Sequence, residues 1–240
     1  MNKLKKMISF IIVFTIIISM SSKSIVANAS NENGHPKCIF RGSWYNNKQS
    51  DLIFYIRPSA ITNQFPQSTY YCITQWNNIS RKVKVSYAFP AEQVYLGNKN
   101  VIYNDTTLLS NVYGKTLFYD ITGQEIDPNL FSSIFNNAQP TVNTVEIGLN
   151  ISSISNKEVP STFMKYTVLH EVGHALLLRH PSSDSSYSGH EYYGFREGEY
   201  VYDLPKSVMN QLRGGFDQDY FSSNVVVHDR NQIKYKWGYK

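Results

Sequence analysis

What this sequence lacks already narrows its class. It has no internal repeat and no low-complexity linker, and a chain of 240 residues fits one domain with one core. The lysines and arginines are scattered, without an arginine-rich run, so we expect no nucleic-acid partner. The apolar run from Met7 to Met20 is about 14 residues, short of the roughly 20 that a membrane-spanning helix needs. We therefore expect no membrane partner for the processed chain.

The first 29 residues have the order of a secretory signal peptide. A basic start (Met1 to Lys6) precedes the apolar run, and Ala27-Asn28-Ala29 forms a small-x-small cleavage site before Ser30. A retained membrane anchor is the alternative, which the short apolar run disfavours. Removing residues 1–29 takes away four lysines and no acidic residue, and so lowers the formal net charge from +5 to +1. The sequence predicts a secreted, extracellular protein with a single domain over residues 30–240.

Only two cysteines are present, Cys38 and Cys72. In an exported chain the usual outcome for such a pair is one disulfide. Closing the loop between them would stabilise the fold by roughly 3–4 kcal/mol in the chain-entropy model. We therefore expect a Cys38–Cys72 disulfide.

The stretch from His170 to His180 carries the clearest chemical signal. His170 and His174 are four residues apart, which places both imidazoles on one face of a helix. Glu171 lies beside that face, where a carboxylate can deprotonate a metal-bound water. His180 needs a turn in the chain before it can reach the same ion. Three imidazoles and one water make an open catalytic zinc site, so we expect one zinc ion. An amphipathic helix with surface histidines is the alternative, disfavoured because three of the six histidines cluster here.

This stretch resembles the metzincin zinc-protease motif H-E-x-x-H-x-x-G-x-x-H, with Leu177 in the glycine position. The resemblance implies zinc ligation by His170, His174 and His180, and catalysis by Glu171. In the family the glycine turns the chain in a left-handed conformation, which would cost a leucine about 1–2 kcal/mol. We therefore expect a positive φ at Leu177 and a tolerated or stabilising Leu177→Gly substitution.

A second resemblance lies at Ser207-Val208-Met209-Asn210, which is similar to the metzincin Met-turn. It implies that Met209 forms an apolar floor under the metal ligands. Upstream, a strand at Asp51–Arg57, a helix at Thr69–Ile79 and a strand at Lys82–Phe89 are similar to the start of a matrixin-like domain. The implied fold is α+β: a twisted, mostly parallel sheet with an antiparallel edge strand, a central zinc-binding helix, the Met-turn and a C-terminal helix. We expect Ser161 to cap the zinc-binding helix and Asp229 to cap the last one.

The segment from Val142 to Asn150 alternates in polarity and is predicted to be a strand just before the metal helix. The resemblance implies that it is the edge strand of the substrate cleft, where a peptide can add as a further strand. The predicted cleft residues are Val145, Glu146, Ile147, Gly148, Leu149 and Asn150. A plain edge strand without a ligand is an equally open interpretation.

Two further features stay open at this level. A structural calcium ion has four candidate ligands: Asp105, Asp120, Glu125 and Asp127. Their spacing fits no calcium loop, which favours solvated loops. Pro36-Lys37-Cys38 has a partial likeness to the inhibitory cysteine of matrixins, although too few residues precede it for a pro-domain.

The resulting hypothesis is a secreted, monomeric zinc endopeptidase that acts on protein or peptide substrates. The hypothesis has two rivals. One is a zinc-fold binding module without turnover, suggested by Leu177, and the other is a zinc hydrolase of a non-peptide bond.

Overall fold

The computed structural model describes residues 39–89, 99–131, 139–180, 207–209 and 223–238. The chain divides into two units, Met1–Asn33 and Gly34–Lys240, and every described residue lies in the second. Residues 1–38, which include the predicted signal peptide and Cys38, lie outside the described residues. Among the residues described, no helix is long and apolar enough to cross a membrane.

Among the described residues, the principal sheet has five strands. Four of them run parallel: β2 (Leu52–Ile56), β3 (Val85–Ala88), β4 (Asn100–Asn104) and β7 (Thr144–Leu149). The fifth, β5 (Gly114–Tyr119), runs antiparallel to β7 at one edge, and the order across the sheet is β3-β2-β4-β7-β5. A separate parallel pair joins β1 (Ser43–Trp44) to β6 (Thr141–Val142). The predicted α+β class with a mostly parallel mixed sheet is confirmed.

Among the described residues, three α-helices accompany the sheet: α1 (Ile151–Ser155), α2 (Pro160–Ala175) and α3 (Val227–Trp237). Segments of 3₁₀ helix cover Tyr45–Asp51, Pro58–Ala60, Gln67–Trp76 and Pro128–Phe131. Helix α2 packs against β5, β7 and the Gln67–Trp76 segment, and most of its residues are buried. The helix that carries the histidine motif is therefore central to the fold.

The helix starts differ in detail from the predictions. Helix α2 begins at Pro160 after Val159, and no side chain caps it. Proline is common at the first helical position because the N–H that it lacks would have no partner within the helix. The predicted cap at Ser161 is thus wrong. Asp229 is not the cap of α3 either: it lies three residues beyond Val226 and accepts the backbone N–H of Val226 at 3.0 Å.

All three tryptophans of the chain hold α2 and its C-terminal end. The indole N–H of Trp76 donates to Leu169 O at 3.2 Å, and that of Trp44 donates to Ala175 O at 3.0 Å. The indole of Trp237 donates to Leu176 O at 3.0 Å. The last carbonyls of a helix have no partner within the helix, so two of these bonds satisfy groups that would otherwise be buried without one.

Candidate metal centre and cleft

Three histidine side chains converge at the C-terminal end of α2. The Nε2 atoms of His170 and His174, one helical turn apart, are 3.1 Å from each other. The Nε2 atom of His180 lies 2.9 Å from that of His170 and 3.0 Å from that of His174. The structure thus brings the three predicted ligands together. Within the described residues they are the one group of three or more such side chains able to hold a metal ion.

The Nδ1 atoms of His170 and His174 are hydrogen-bonded, which leaves the Nε2 atoms to face the point of convergence. His170 Nδ1 lies 2.8 Å from Val208 O, and His174 Nδ1 lies 2.8 Å from Leu178 O. A carbonyl accepts, so each Nδ1 carries the proton and each Nε2 presents a lone pair. Burial lowers the pKa of His170 to about 3 and that of His174 to about 4, which keeps both rings neutral. Neutral nitrogens whose lone pairs converge on one point suit a cation placed between them.

His180 reaches the group through a tight turn after α2. The N–H of Leu178 donates to Gly173 O at 3.0 Å, and that of Leu177 donates to His174 O at 2.7 Å. These two bonds define a Schellman motif, whose turning residue is left-handed. Leu177 holds that position with φ 64°, so the predicted positive φ is confirmed. Its side chain is also fully buried, a feature that the sequence pattern did not indicate.

The turn at Ser207–Met209 lies beneath the histidines and is fixed from α3. The buried carboxylate of Asp229 accepts a hydrogen bond from Ser207 Oγ at 2.5 Å and another from Val208 N at 3.2 Å. Val208 O is the acceptor for His170 Nδ1. Met209, 2% exposed, packs against Gly173 of α2. Helix α3 therefore orients His170 through a short chain of hydrogen bonds.

Glu171 is buried beside the histidines and is held from β5. Its Oε2 atom accepts a hydrogen bond from Thr116 Oγ1 at 2.7 Å. A Cβ atom at Gly114 would lie 2.6 Å from Glu171 Oε1, so the carboxylate uses the space that this glycine leaves. Burial raises the pKa of Glu171 to about 7, against the opposing effect of the Thr116 hydrogen bond.

No protein-family model and no curated protein matches this chain. The chemistry of the site is therefore inferred from these residues and distances.

A cleft of about 430 Å³ opens in front of the histidines and Glu171. Its described walls are the 111–118 segment, which includes most of β5, the face of α2, the turn to His180, and the ring of Phe40. Phe40 packs on His174, with the ring centroids 5.9 Å apart, and its N–H donates to Leu177 O. Gly114, Thr116 and Phe40 carry no motif in the sequence, which is why sequence reasoning did not select them.

The segment predicted as a cleft strand does form a strand, but its predicted position at the edge of the sheet is wrong. Residues Val145 to Leu149 form most of β7, which lies between β4 and β5 and is buried along its whole length. An interior strand has partners on both sides and cannot accept a further strand. Asn150 is also engaged, because its side chain caps α1 by accepting Ser153 N. The edge that borders the cleft is β5 instead.

The predicted Cys38–Cys72 disulfide is not formed in this structure. Cys72 has a free, buried thiol, with Sγ 3.9 Å from Lys165 O in the first half of α2. Cys38, the predicted partner, lies outside the described residues.

Two of the acidic residues considered for calcium organise turns. Asp105 Oδ1 accepts hydrogen bonds from the N–H and the hydroxyl of Thr107, at 2.9 and 2.6 Å. Asp120 Oδ1 accepts the equivalent pair from Thr122, at 2.8 and 2.6 Å. These contacts are local Asx turns, which use the carboxylates without any ion.

Proposed function

We propose that this chain is a secreted, zinc-dependent endopeptidase similar to the metzincins, with a matrixin-like catalytic domain over residues 30–240. The observation that carries the proposal is the convergence of three histidine Nε2 atoms, 2.9–3.1 Å apart, beside a buried glutamate at the base of an open cleft. Extracellular location and action as a monomer rest on the sequence pattern.

The donor set favours zinc. All three groups are imidazoles, which suit zinc, and an open fourth position is typical of catalytic sites. Tetrahedral bonds of about 2.0–2.1 Å separate ligand nitrogens by about 3.3 Å, so the observed triad needs to widen by only about 0.3 Å. When bound, zinc supplies a Lewis acid that polarises a carbonyl and lowers the pKa of a coordinated water toward about 7.

Glu171 is the proposed general base. Glu171 lines the same cleft as the three histidines and is not one of the three converging groups. A pKa of about 7, raised by burial, lets it accept a proton from the attacking water and return that proton to the leaving amine near neutral pH. A carboxylate at its ordinary pKa would return the proton less readily.

The edge strand β5 favours a peptide as the substrate. In an antiparallel pair, alternate residues turn their backbone groups away from the partner strand. Tyr113 O accepts the N–H of Asn150, on the β7 side, so Gly114 and Thr116 turn their N–H and C=O groups toward the opposite edge. An extended peptide can pair with that edge, which would pass its backbone across the histidines.

The positive φ of Leu177 bears on the binding-module alternative. That alternative was suggested by the absence of glycine, and the leucine adopts the left-handed turn nonetheless. The base and the cleft that turnover requires are both present among the described residues.

The test is incubation of the purified mature chain with a diverse peptide library, with and without a chelator, followed by sequencing of the cuts. We expect about one zinc per chain by elemental analysis and cleavage that the chelator abolishes. Cleavage that persists in a chain free of transition metal would overturn the proposal. Zinc binding without any peptide cleavage would favour the binding module or a hydrolase of another bond.

A further inference from the structure

Strand β5 presents Thr116 to Glu171 on the face of the sheet that packs on α2. Thr116 lies opposite Ile147 of β7, a core residue on the same face. Its hydroxyl is 2.7 Å from Glu171 Oε2 and 3.1 Å from Glu171 O. The carboxylate oxygen is the closer and the more basic acceptor, so it receives the proton.

Among the described residues, Thr116 is the one side chain that hydrogen-bonds to the Glu171 carboxylate. Glu171 is 5% exposed, so little solvent competes for that contact. The missing side chain at Gly114 leaves room for Oε1 and supplies no second donor. Within the described part of the chain, a single hydroxyl therefore fixes the orientation of the carboxylate about its terminal bond.

The backbone of the same residue faces the cleft. Phe118 O accepts the N–H of Ile126 on the side of β5 away from β7. Thr116 is two residues earlier and has the same outward orientation. The described residues form no hydrogen bond to its outward backbone groups. One residue thus contacts the base through its side chain and borders the cleft through its main chain.

We propose that Thr116 is a positioning residue for Glu171, which orients the carboxylate toward the attacking water and ties that orientation to the strand on which the substrate pairs. This inference rests on the proposed peptidase function. A hydrogen bond to a charged group that is lost from the transition state slows the reaction by about 10- to 100-fold. The loss falls on kcat and not on KM, because the substrate pairs with the backbone of β5 and not with the hydroxyl.

The experiment compares wild type with Thr116→Val, which keeps the shape and removes the hydroxyl, and with Thr116→Ser, which restores it. Thr74→Val is the matched control, because the Thr74 hydroxyl donates to Tyr71 O at 2.9 Å, in the Gln67–Trp76 segment. The measurements are zinc content, kcat and KM on a peptide that wild type cleaves, and crystal structures of the zinc-loaded proteins.

We expect Thr116→Val to keep its zinc and its KM, to lose about 10- to 100-fold in kcat, and to show a displaced or disordered Glu171 carboxylate. Thr116→Ser should recover most of the activity, and Thr74→Val should match wild type. Wild-type kcat in Thr116→Val with Glu171 unmoved would overturn the proposal, as would a Thr116→Ser variant as slow as Thr116→Val. If zinc-loaded wild type cleaves no peptide, the proposed function fails, and the position of Glu171 in the two variant crystals still decides the role of Thr116.

Discussion

Met209 occupies the space that a side chain at position 173 would need. A Cβ atom built on Gly173 would lie 2.2 Å from Met209 Sδ and 3.1 Å from Trp76 Cζ2. Gly173 stands between His170 and His174 of α2, so the close fit places the sulfur beneath the converging histidines. A methionine is well suited to such a floor because its thioether is flexible and polarisable.

This fit predicts that Gly173→Ala destabilises the protein, although alanine is the better helix former by about 1 kcal/mol. Gly173→Ala combined with Met209→Ala should be less destabilised than the sum of the two single variants, because the shorter side chain removes the clash. Denaturant unfolding of the four proteins gives the coupling free energy. Additive effects would show that the two residues do not press on each other.

Alanine substitutions of Glu171 and His174 are predicted to differ in their effect on zinc content. Glu171→Ala should keep its zinc and lower peptide hydrolysis by roughly 10²–10⁴-fold, because it removes a general base and not a ligand. His174→Ala removes one of three converging nitrogens and should lose both metal and activity. Elemental analysis and a hydrolysis assay on the same preparations distinguish the two. Loss of zinc in Glu171→Ala would make the carboxylate a ligand.

Leu177 is both strained and buried, which revises the expectation that glycine is tolerated there. Leu177→Gly removes a left-handed leucine, worth about 1–2 kcal/mol, but it also removes a core side chain, worth about 2–5 kcal/mol. We expect a net loss of stability. Leu177→Ala loses the same packing and keeps the strain, so it should be less stable than Leu177→Gly by about 1 kcal/mol in denaturant unfolding. The reverse order would contradict the strained turn.

The buried carboxylate of Asp229 makes the stability of the fold depend on pH in a defined direction. Burial raises its pKa from the ordinary 3.8 to about 6, so the folded chain binds more protons than the unfolded chain between those values. Its contribution to stability is therefore present in full below pH 3.8 and is lost as the pH rises to about 6, by at most about 3 kcal/mol. The lowered pKa values of His170 and His174 act in the opposite direction as the pH falls below 6.5.

The Asp229 contribution is isolated by comparing wild type with Asp229→Asn, which keeps the shape of the side chain without its titration. The excess stability of wild type over Asp229→Asn should shrink between pH 4 and pH 7, roughly as the pKa shift requires. The measurement is the unfolding free energy at each pH. A difference that is constant with pH would contradict the prediction.

The thiol of Cys72 should be unreactive in the folded protein. Its side chain is 7% exposed, and burial raises its pKa to about 12, so the reactive thiolate is scarce. We expect no alkylation of Cys72 in the folded, unreduced protein and full alkylation once it is unfolded. Mass spectrometry of the peptide that contains Cys72 reports both states. Labelling that requires a reductant would show that the disulfide exists after all.

The convergence of His170, His174 and His180 was predictable because it depends on local spacing. Four residues of helix bring His170 and His174 to one face, and a tight turn is what brings His180 back. The burial of Leu177 was not predictable from that pattern, since it depends on which segments pack over the turn. Phe40, more than 130 residues upstream, is one of them.

The edge strand of the sheet and the state of Cys72 also depend on contacts between segments that are distant in sequence, so local patterns could not predict them. Alternation in Val142–Asn150 indicates a strand, and the strand exists as β7, but alternation does not reveal how many neighbours a strand has. Thr116 acquires its contact with Glu171 only because β5 folds back along β7. The expected disulfide rested on export and on the presence of two cysteines, whereas the fold places Cys72 beside Lys165.

The three indole hydrogen bonds to α2 make the chain its own optical probe. Trp44 and Trp237 report on the C-terminal end of the helix, where the turn to His180 begins, and Trp76 reports on the middle. Indole emission shifts to longer wavelength when water replaces a buried protein contact. Adding a chelator to the zinc-loaded chain and following tryptophan fluorescence would therefore show, without any label, whether the helix opens from the end that carries the three histidines.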